Sequence, residues 1–301
     1  MNRQRLRLGE RAIESAIFAG GVAAIVIVGL IMFFLFREGL PLFGNTSAAG
    51  FFFGKKWQPS SEPPQFGLLP NLWGSFLVTL GAAVIAVPLG VGTAVYIRYI
   101  APRRLAGFLK GFVELMGAVP SVAVGFVGAV ALSPLIKDFL HLDTGKSAIV
   151  GSVLLAFLAI PTITTIAEDA MSMVPKEYFQ GSVALGATYW QTIYRVLIPA
   201  ARPGIVAAIM LGLGRAIGET MVVIMVTGNA GLLPDHGVWH AFTHSVRTIT
   251  GTIGAEALEV AQGEPHYQAL FMLGVVLLLI TVAFNSLAVT ALGRTRRTAR
   301  T

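Results

Sequence analysis

The chain has 301 residues, of which 55% are hydrophobic and only 12% charged, and its mean hydropathy is +0.74. That composition excludes an ordinary soluble domain of this length and indicates an integral membrane protein. The net charge of +7 comes from 22 Lys and Arg against 15 Asp and Glu, and the absence of cysteine removes disulfides and thiolate chemistry.

A hydrocarbon core about 30 Å thick takes roughly 20 apolar residues in a helix. Six runs meet that requirement, at about 12–36, 73–96, 112–136, 147–166, 203–226 and 267–292. They are too long and too uniformly apolar for barrel strands. The expected fold class is therefore all-α, a bundle of six transmembrane helices forming one domain over 1–301.

The first run follows Arg3, Arg5, Arg7 and Arg11, an arrangement shared with signal peptides. Its length, and the lack of a small-residue cleavage pattern before Arg37 and Glu38, favour a retained span. The loop 37–72 is rich in Gly, Pro, Ser and Phe, and its segment FFFGKKWQP, Phe51 to Pro59, suits the headgroup zone that aromatic residues prefer. Pro88, Pro120 and Pro134 are expected to bend spans two and three. Glu114, at the start of the third span, reads as a solvated or interface-paired carboxylate rather than a substrate ligand.

Gly145-Lys146-Ser147 resembles the end of a phosphate-binding loop, but Leu140 stands where the first glycine is required and no strand precedes it. ATP binding is not expected there. After the fourth run, the polar loop 167–202 contains the stretch QGSVALGATYWQTIYRVLIP, residues 180–199. Glu168 and Asp169 open a polar helix, Pro175 interrupts it, and Gly186 permits a sharp turn into a second helix from Trp190 to Ile198, ended by Pro199. Ile193, Val196 and Leu197 recur at helical spacing, which gives that second helix one face to bury.

The fifth run carries Arg215 and Glu219 near its middle, four residues apart and so on one face of a continuous helix. Charge at such depth costs about 2.5 to 3.5 kcal/mol per residue on insertion scales, so both should face a bundle interior or an aqueous path. Arg215 offers forked donors to an oxyanion, with Glu219 moderating the guanidinium; the alternative is an internal ion pair that locks the bundle. Gly214 and Gly218 form a G-x-x-x-G that permits close helix approach in lipid. Gly212-Leu213-Gly214 followed by Gly218 misses the dinucleotide spacing. In the second long loop, 227–266, His236, His240 and His244 have i, i+4, i+8 spacing, but with no thiolate or H-E-x-x-H pattern they read as an amphipathic outer helix, not a metal site. No paired-carboxylate or nucleophile–base arrangement indicates a membrane enzyme.

Basic loops are retained on the cytoplasmic side. With the N-terminus inside, fifteen Lys and Arg fall on inner segments (among them Arg98, Arg103, Arg104, Lys110, Lys176 and Arg300) against six on outer ones, so both termini are expected to be cytoplasmic. The same asymmetry accounts for a pI of about 10.0 without nucleic-acid binding.

The hairpin's spacing resembles the EAA signature of ABC importer permeases. Gln180, Gly181 and Ser182 stand at the EAA positions, with glutamine in place of the acidic residue; Gly186 stands at the glycine, and Val196, Ile198 and Pro199 at the closing I-x-L-P. The segment GLGRAIGETMVVIMVTGN, from Gly212 to Asn229, is similar to phosphate-specific permeases, its GETM favouring the PstC type, as does the pattern FG-x-x-W-x-P from Phe53 to Pro59. The resemblance covers nearly the whole chain. It implies a MetI-like ABC importer permease with a cytoplasmic coupling hairpin, in a bacterial inner membrane. It further implies phosphate import, a PstA-type permease as heterodimer partner, a PstB-type ATPase dimer that hydrolyses ATP, and a PstS-type phosphate-binding protein, with no cofactor of its own. The rival readings are a permease for phosphonate, sulfate or molybdate, and an ion-coupled secondary transporter; the latter lacks visible inverted halves.

Overall fold

The computed structural model describes residues 3–233 and 237–298. In chain order its helices are α1 (Arg3–Gly39), α2 (Ala48–Phe52), α3 (Leu69–Val95), α4 (Arg103–Ala118), α5 (Ser121–Val127), α6 (Ser133–Leu140), α7 (Ala148–Ser172), α8 (Lys176–Ala184), α9 (Tyr189–Thr192), α10 (Ile198–Ile217), α11 (Met221–Val226), α12 (Val238–Thr243), α13 (Ile249–Glu256) and α14 (Pro265–Thr298). A short antiparallel pair, β1 (Trp57–Gln58) and β2 (Gln65–Phe66), lies between α2 and α3. Wide π-turns continue α3 at Tyr96–Ile100, link α5 to α6 at Gly128–Leu132, and link α9 to α10 at Ile193–Leu197.

Six segments among the described residues are long and apolar enough to cross a bilayer: Ile13–Gly44, Leu69–Ile100, Ser121–Leu140, Ala148–Ser172, Tyr189–Ile217 and Pro265–Ser286. The number agrees with the hydropathy reading, while the boundaries shift, most of all at the starts of the third and fifth spans. The third span begins at Ser121, not near 112, because Pro120 forces Val119 out of helical geometry, to ψ 129°. Phe112 and Glu114 therefore belong to the separate helix α4. In the fifth span, Pro199 does not end a helix: α9, the π-turn and α10 form one rod from Tyr189 to Ile217, with Pro199 in the first turn of α10, where no N–H is needed.

Helix α7 is the central pole of the bundle, packed by α3 on one side and α10 on the other. Small residues make this possible. Ile163 is fully buried and sits between Gly90 of α3 and Gly212 of α10; a Cβ at Gly90 would come within 2.8 Å of its Cγ2, and one at Gly212 would overlap its Cγ1. Side-chain hydroxyls tie the same helices, Thr164 Oγ1 donating to the Gly90 carbonyl at 3.1 Å and Ser152 Oγ reaching the Val78 carbonyl at 3.2 Å. By contrast, α1 packs chiefly along α14, antiparallel to it, with Gly39 against the Met272 backbone and Phe34 edge-on to Phe271 at 5.5 Å.

At the end of the bundle away from α8, the two long loops fold into a core of their own. Phe51 and Trp57 are 0% and 1% exposed, packed with Leu42, Phe66, Ile249 and Leu273. Both rings are thus turned into the loop's own apolar cluster, while Phe52 and Phe53 of the same segment stay 39% and 75% exposed. Glu256 locks the layer. Its carboxylate accepts from Trp57 Nε1 at 3.0 Å, lies 2.8 Å from His266 Nε2, and pairs with Arg247, which also donates to the Asn229 carbonyl at 2.8 and 3.1 Å. Burial pushes the Glu256 carboxyl up, but the His266 and Trp57 hydrogen bonds and the Arg247 charge outweigh it and hold it below its ordinary value.

Replacing Gly212 by Leu should destabilise the detergent-purified chain by about 1–3 kcal/mol, with partial recovery when Ile163→Ala is added; thermal unfolding of the single and double variants measures both. A depressed carboxyl stabilises the fold above the unfolded-state value and loses that contribution as pH falls through the folded-state one. Tryptophan fluorescence should accordingly stay constant from neutral pH down to the ordinary carboxylate range and change only below it, and Arg247→Ala should remove about 1.5–3 kcal/mol by taking the charged hydrogen bond of Arg247 from Glu256, which keeps Trp57 and His266.

Candidate functional site

The fifth span is interrupted where its charges lie. Helix α10 stops at Ile217, Gly218 and Glu219 make turn-type hydrogen bonds back to Gly214 and Ala216 at 3.3 Å, and α11 starts anew at Met221. The expectation that Arg215 and Glu219 share one face of a continuous helix is corrected by this break. Among the described residues they form no ion pair.

Each charge has a different neighbour. Glu219 Oε1 accepts the Met221 backbone N–H at 3.2 Å, capping α11, while its carbonyl accepts from Thr250 Oγ1 at 2.8 Å. Its side of the break faces a small cavity with Ser75, Thr79 and Thr248. Arg215 lies on the opposite, open side, exposed, with Nη1 3.4 Å from Thr162 Oγ1 of α7. The alternative of an internal Arg215–Glu219 lock has no support in this geometry. Among the described residues Gly214 and Gly218 meet no other helix: a Cβ would find nothing within 4 Å at the first and only carbonyls of its own turn at the second.

Arg215 heads a polar stripe. Thr162, Thr165 and Asp169 recur every three to four residues on α7 and so share one face. Helix α4 flanks the far end of this stripe, where Lys110 Nζ lies 2.6 Å from Glu168 Oε2 and 3.4 Å from Asp169 Oδ1. The Glu168 hydrogen bond is the main reason that Lys110 titrates above its ordinary value, against the opposing effect of burial. Glu168 and Asp169 thus end α7 and clamp α4; they do not open a new helix. Glu114, on α4, is exposed and has no pairing partner among the described residues.

Beyond Pro175, α8 and α9 form the projecting hairpin. Gly186 turns it at φ +83°, a conformation that glycine adopts without strain. The second arm starts with a capping box between Thr188 and Gln191, and Ser182 Oγ lies 3.0 Å from Thr192 Oγ1, stapling the arms. Ile193 and Leu197 are buried and Val196 is half-buried, as the helical spacing predicts. Gln180 and Gly181 are exposed, Ser182 and Ile198 half-buried, and Pro199 exposed. Large apolar side chains crowd the tip uncovered, with Leu185 90%, Tyr194 75% and Trp190 62% exposed. A solvated hairpin does not expose such side chains without something to cover them.

In the loop layer, His236 lies outside the described residues. Helix α12 includes only His240 of the three histidines; His244 follows its end in extended geometry and stacks on His240 at 3.4 Å. Among the described residues the helix there is α12, six residues from Val238 to Thr243. Sequence reasoning missed Thr162 and the Lys110 clamp; the hydroxyls of Pro161-Thr162-Ile163-Thr164-Thr165 within an apolar run were the available signal.

A polytopic bundle with a buried pole, an interrupted span and a projecting apolar hairpin is built as a transport permease. Residues 86–297 match the family described as binding-protein-dependent transport system inner membrane component. The chain is 37% identical to the probable ABC transporter permease protein YqgH of Bacillus subtilis, over 94% of this chain and 90% of that one. It is 30% identical to the phosphate transport system permease protein PstC of Mesorhizobium japonicum, over 95% and 90%. In fold it is similar to a chain of a bacterial alginate ABC transporter solved in complex with an alginate-bound periplasmic protein, with TM-score 0.61 and 15% identity over 98% and 99%. The chain belongs to the binding-protein-dependent transport system inner membrane component family. It is a multi-pass membrane permease of an ABC transporter, a transport subunit.

Replacing Lys110 by Met should free α4 from α7, so that amide exchange in residues 106–117 quickens severalfold while α3 and α7 remain protected. Because the Lys110 value is raised, the clamp is fully formed below the ordinary lysine range and is lost only as pH rises through the folded-state value. Exchange protection of α4 should thus not vary between pH 6 and pH 8, a window well under about 10.4.

Proposed function

We propose that this permease is the PstC-type subunit of an ATP-driven importer of inorganic phosphate. The observation that carries the reading is Arg215, an exposed guanidinium two residues before α10 stops in the fifth span, on the open side of a broken helix and with no carboxylate partner among the described residues. An unpaired cation cannot face lipid cheaply. On a path shared with a second permease chain, it offers fork-shaped donors to a tetrahedral oxyanion, and Thr162 orients it. Glu219 acts differently from the moderating role expected of it, by capping α11 and so fixing the break. The similarity to PstC of Mesorhizobium japonicum supports phosphate over phosphonate, sulfate or molybdate.

The partners follow from the surfaces left open. A PstA-type permease covers Gly214, Arg215 and Gly218 in a heterodimer. The exposed hairpin, with Gln180, Gly181, Ser182 and Gly186 at its first arm and turn and Val196, Ile198 and Pro199 in its second, docks on a PstB-type ATPase dimer in which ATP hydrolysis resides. A PstS-type phosphate-binding protein delivers substrate to the loop layer. Both termini lie in the cytoplasm, on the fifteen-to-six distribution of basic residues. Since α9, the π-turn and α10 are one rod, hairpin motion reaches Arg215 directly along the helix.

In vesicles containing the purified complex, phosphate uptake should require ATP on the hairpin side and fall at least about 100-fold in Arg215→Ala, a loss of roughly 2.7 kcal/mol, with the complex still assembled. ATP-driven uptake of sulfate and not phosphate would overturn the substrate, and normal uptake by Arg215→Ala would remove that residue from the path. Gly186→Val, which forces a β-branched residue to positive φ at a cost of about 1–2 kcal/mol, should abolish the chain's stimulation of ATPase activity; unchanged stimulation would refute the docking assignment.

A further inference from the structure

A second concentration of cationic chemistry lies away from Arg215, at the joint between the hairpin and the bundle. A cleft of about 400 Å³ opens there, walled by Arg98 and Tyr99 from the π-turn that continues α3, by Lys176, Phe179 and Gln180 from α8, and by Tyr189 from α9. None of its lining residues is a carboxylate. Neither Arg98 nor Lys176 has an ion-pair partner among the described residues, although Glu177 is the next residue in the chain. The Tyr99 hydroxyl is buried without a hydrogen-bond partner. The wall is held in place by Tyr189, whose hydroxyl donates to the Tyr99 carbonyl and whose ring meets Phe179 edge-on at 6.0 Å.

We infer that this cleft binds a phosphate group. Two uncompensated cations from different elements, one a planar fork and one a point charge, suit a multiply charged tetrahedral anion better than a carboxylate, which one of them would neutralise. The Gln180 amide adds a neutral donor. The space exceeds that of a bare ion, and Arg98 stands at the very end of a span, at headgroup depth. The same chemistry is therefore available from inorganic phosphate and from an anionic phospholipid headgroup. An occupant would bridge the bundle, through Arg98, to the hairpin, through Lys176, and restrain the hairpin's motion. The consequence for coupling rests on the proposed lever role of the hairpin; the binding itself does not.

The test uses the full chain purified with its co-expressed partners, without ATP, in nanodiscs of phosphatidylcholine or of phosphatidylcholine with phosphatidylglycerol. Amide exchange over residues 176–192 is followed with and without added inorganic phosphate. Protection that rises severalfold with inorganic phosphate in neutral nanodiscs supports the site with the free anion as its ligand; protection that rises only with phosphatidylglycerol supports it with a headgroup. In both cases the gain should disappear in Arg98→Gln and in Lys176→Gln and persist in Arg103→Gln, a nearby basic residue outside the cleft. No gain under either condition, or a gain retained in both cleft variants, overturns the inference. Vesicle uptake separates this from the transport reading: phosphate import with no protection sinks the site alone, and protection in a complex that imports only sulfate sinks the substrate assignment alone.

Discussion

Everything in this bundle depends on how closely α3 and α10 approach α7. In lipid no hydrophobic force draws one apolar helix to another, so association rests on contact and on hydrogen bonds that have no water to compete with them. Ile163, seated against Gly90 and Gly212, supplies the contact, and Thr164 and Ser152 supply the bonds. With α3 and α10 against α7, α1 and α4 are left at the periphery, and Gly214 and Gly218 have no other helix against them among the described residues.

That uncovered side carries Arg215, the residue proposed to meet the anion. The break at 218–220 separates two charges that a straight helix would have stacked, giving Glu219 a capping task on the packed side and leaving Arg215 to the open one. A guanidinium freed from its neighbouring carboxylate can bind an anion and release it, whereas an intact pair would be neutral. The same rod that ends beside Arg215 begins in the hairpin, and its π-turn widens the helix where Pro199 removes a donor. On the proposed reading, the lever and the anion site therefore share one element. The peripheral clamp of Lys110 on Glu168 and Asp169 keeps α4 in register with the end of α7 from which the hairpin departs.

On the opposite end, the loop layer is a small folded unit rather than a flexible cover. Glu256 gathers Trp57, Arg247 and His266 from three segments, with Trp57 199 residues away in the chain. Its burial is tolerated because every donor around it favours the charged carboxylate. This layer gives the end of the bundle away from the hairpin a packed surface of its own.

The sequence by itself determined the class, the six spans, the hairpin with its turn at Gly186, and the family, because bilayer thickness, helical period and the positive φ of a tight turn act locally. Arg215 was legible as a misplaced charge. Its relation to Glu219 was not, since a helix break after Gly218 depends on what Thr250 and α13 offer to the unwound residues. The third span's start was misjudged because hydropathy weighs Phe112 to Ala118 as membrane while Pro120 sets the corner. Only the tertiary structure decided that Trp57 goes inside, that Lys110 meets Glu168, and that Thr162 stands beside Arg215. Each of these joins residues far apart in the chain, and a side chain's partner across that distance is fixed by which helices pack, which no local pattern encodes.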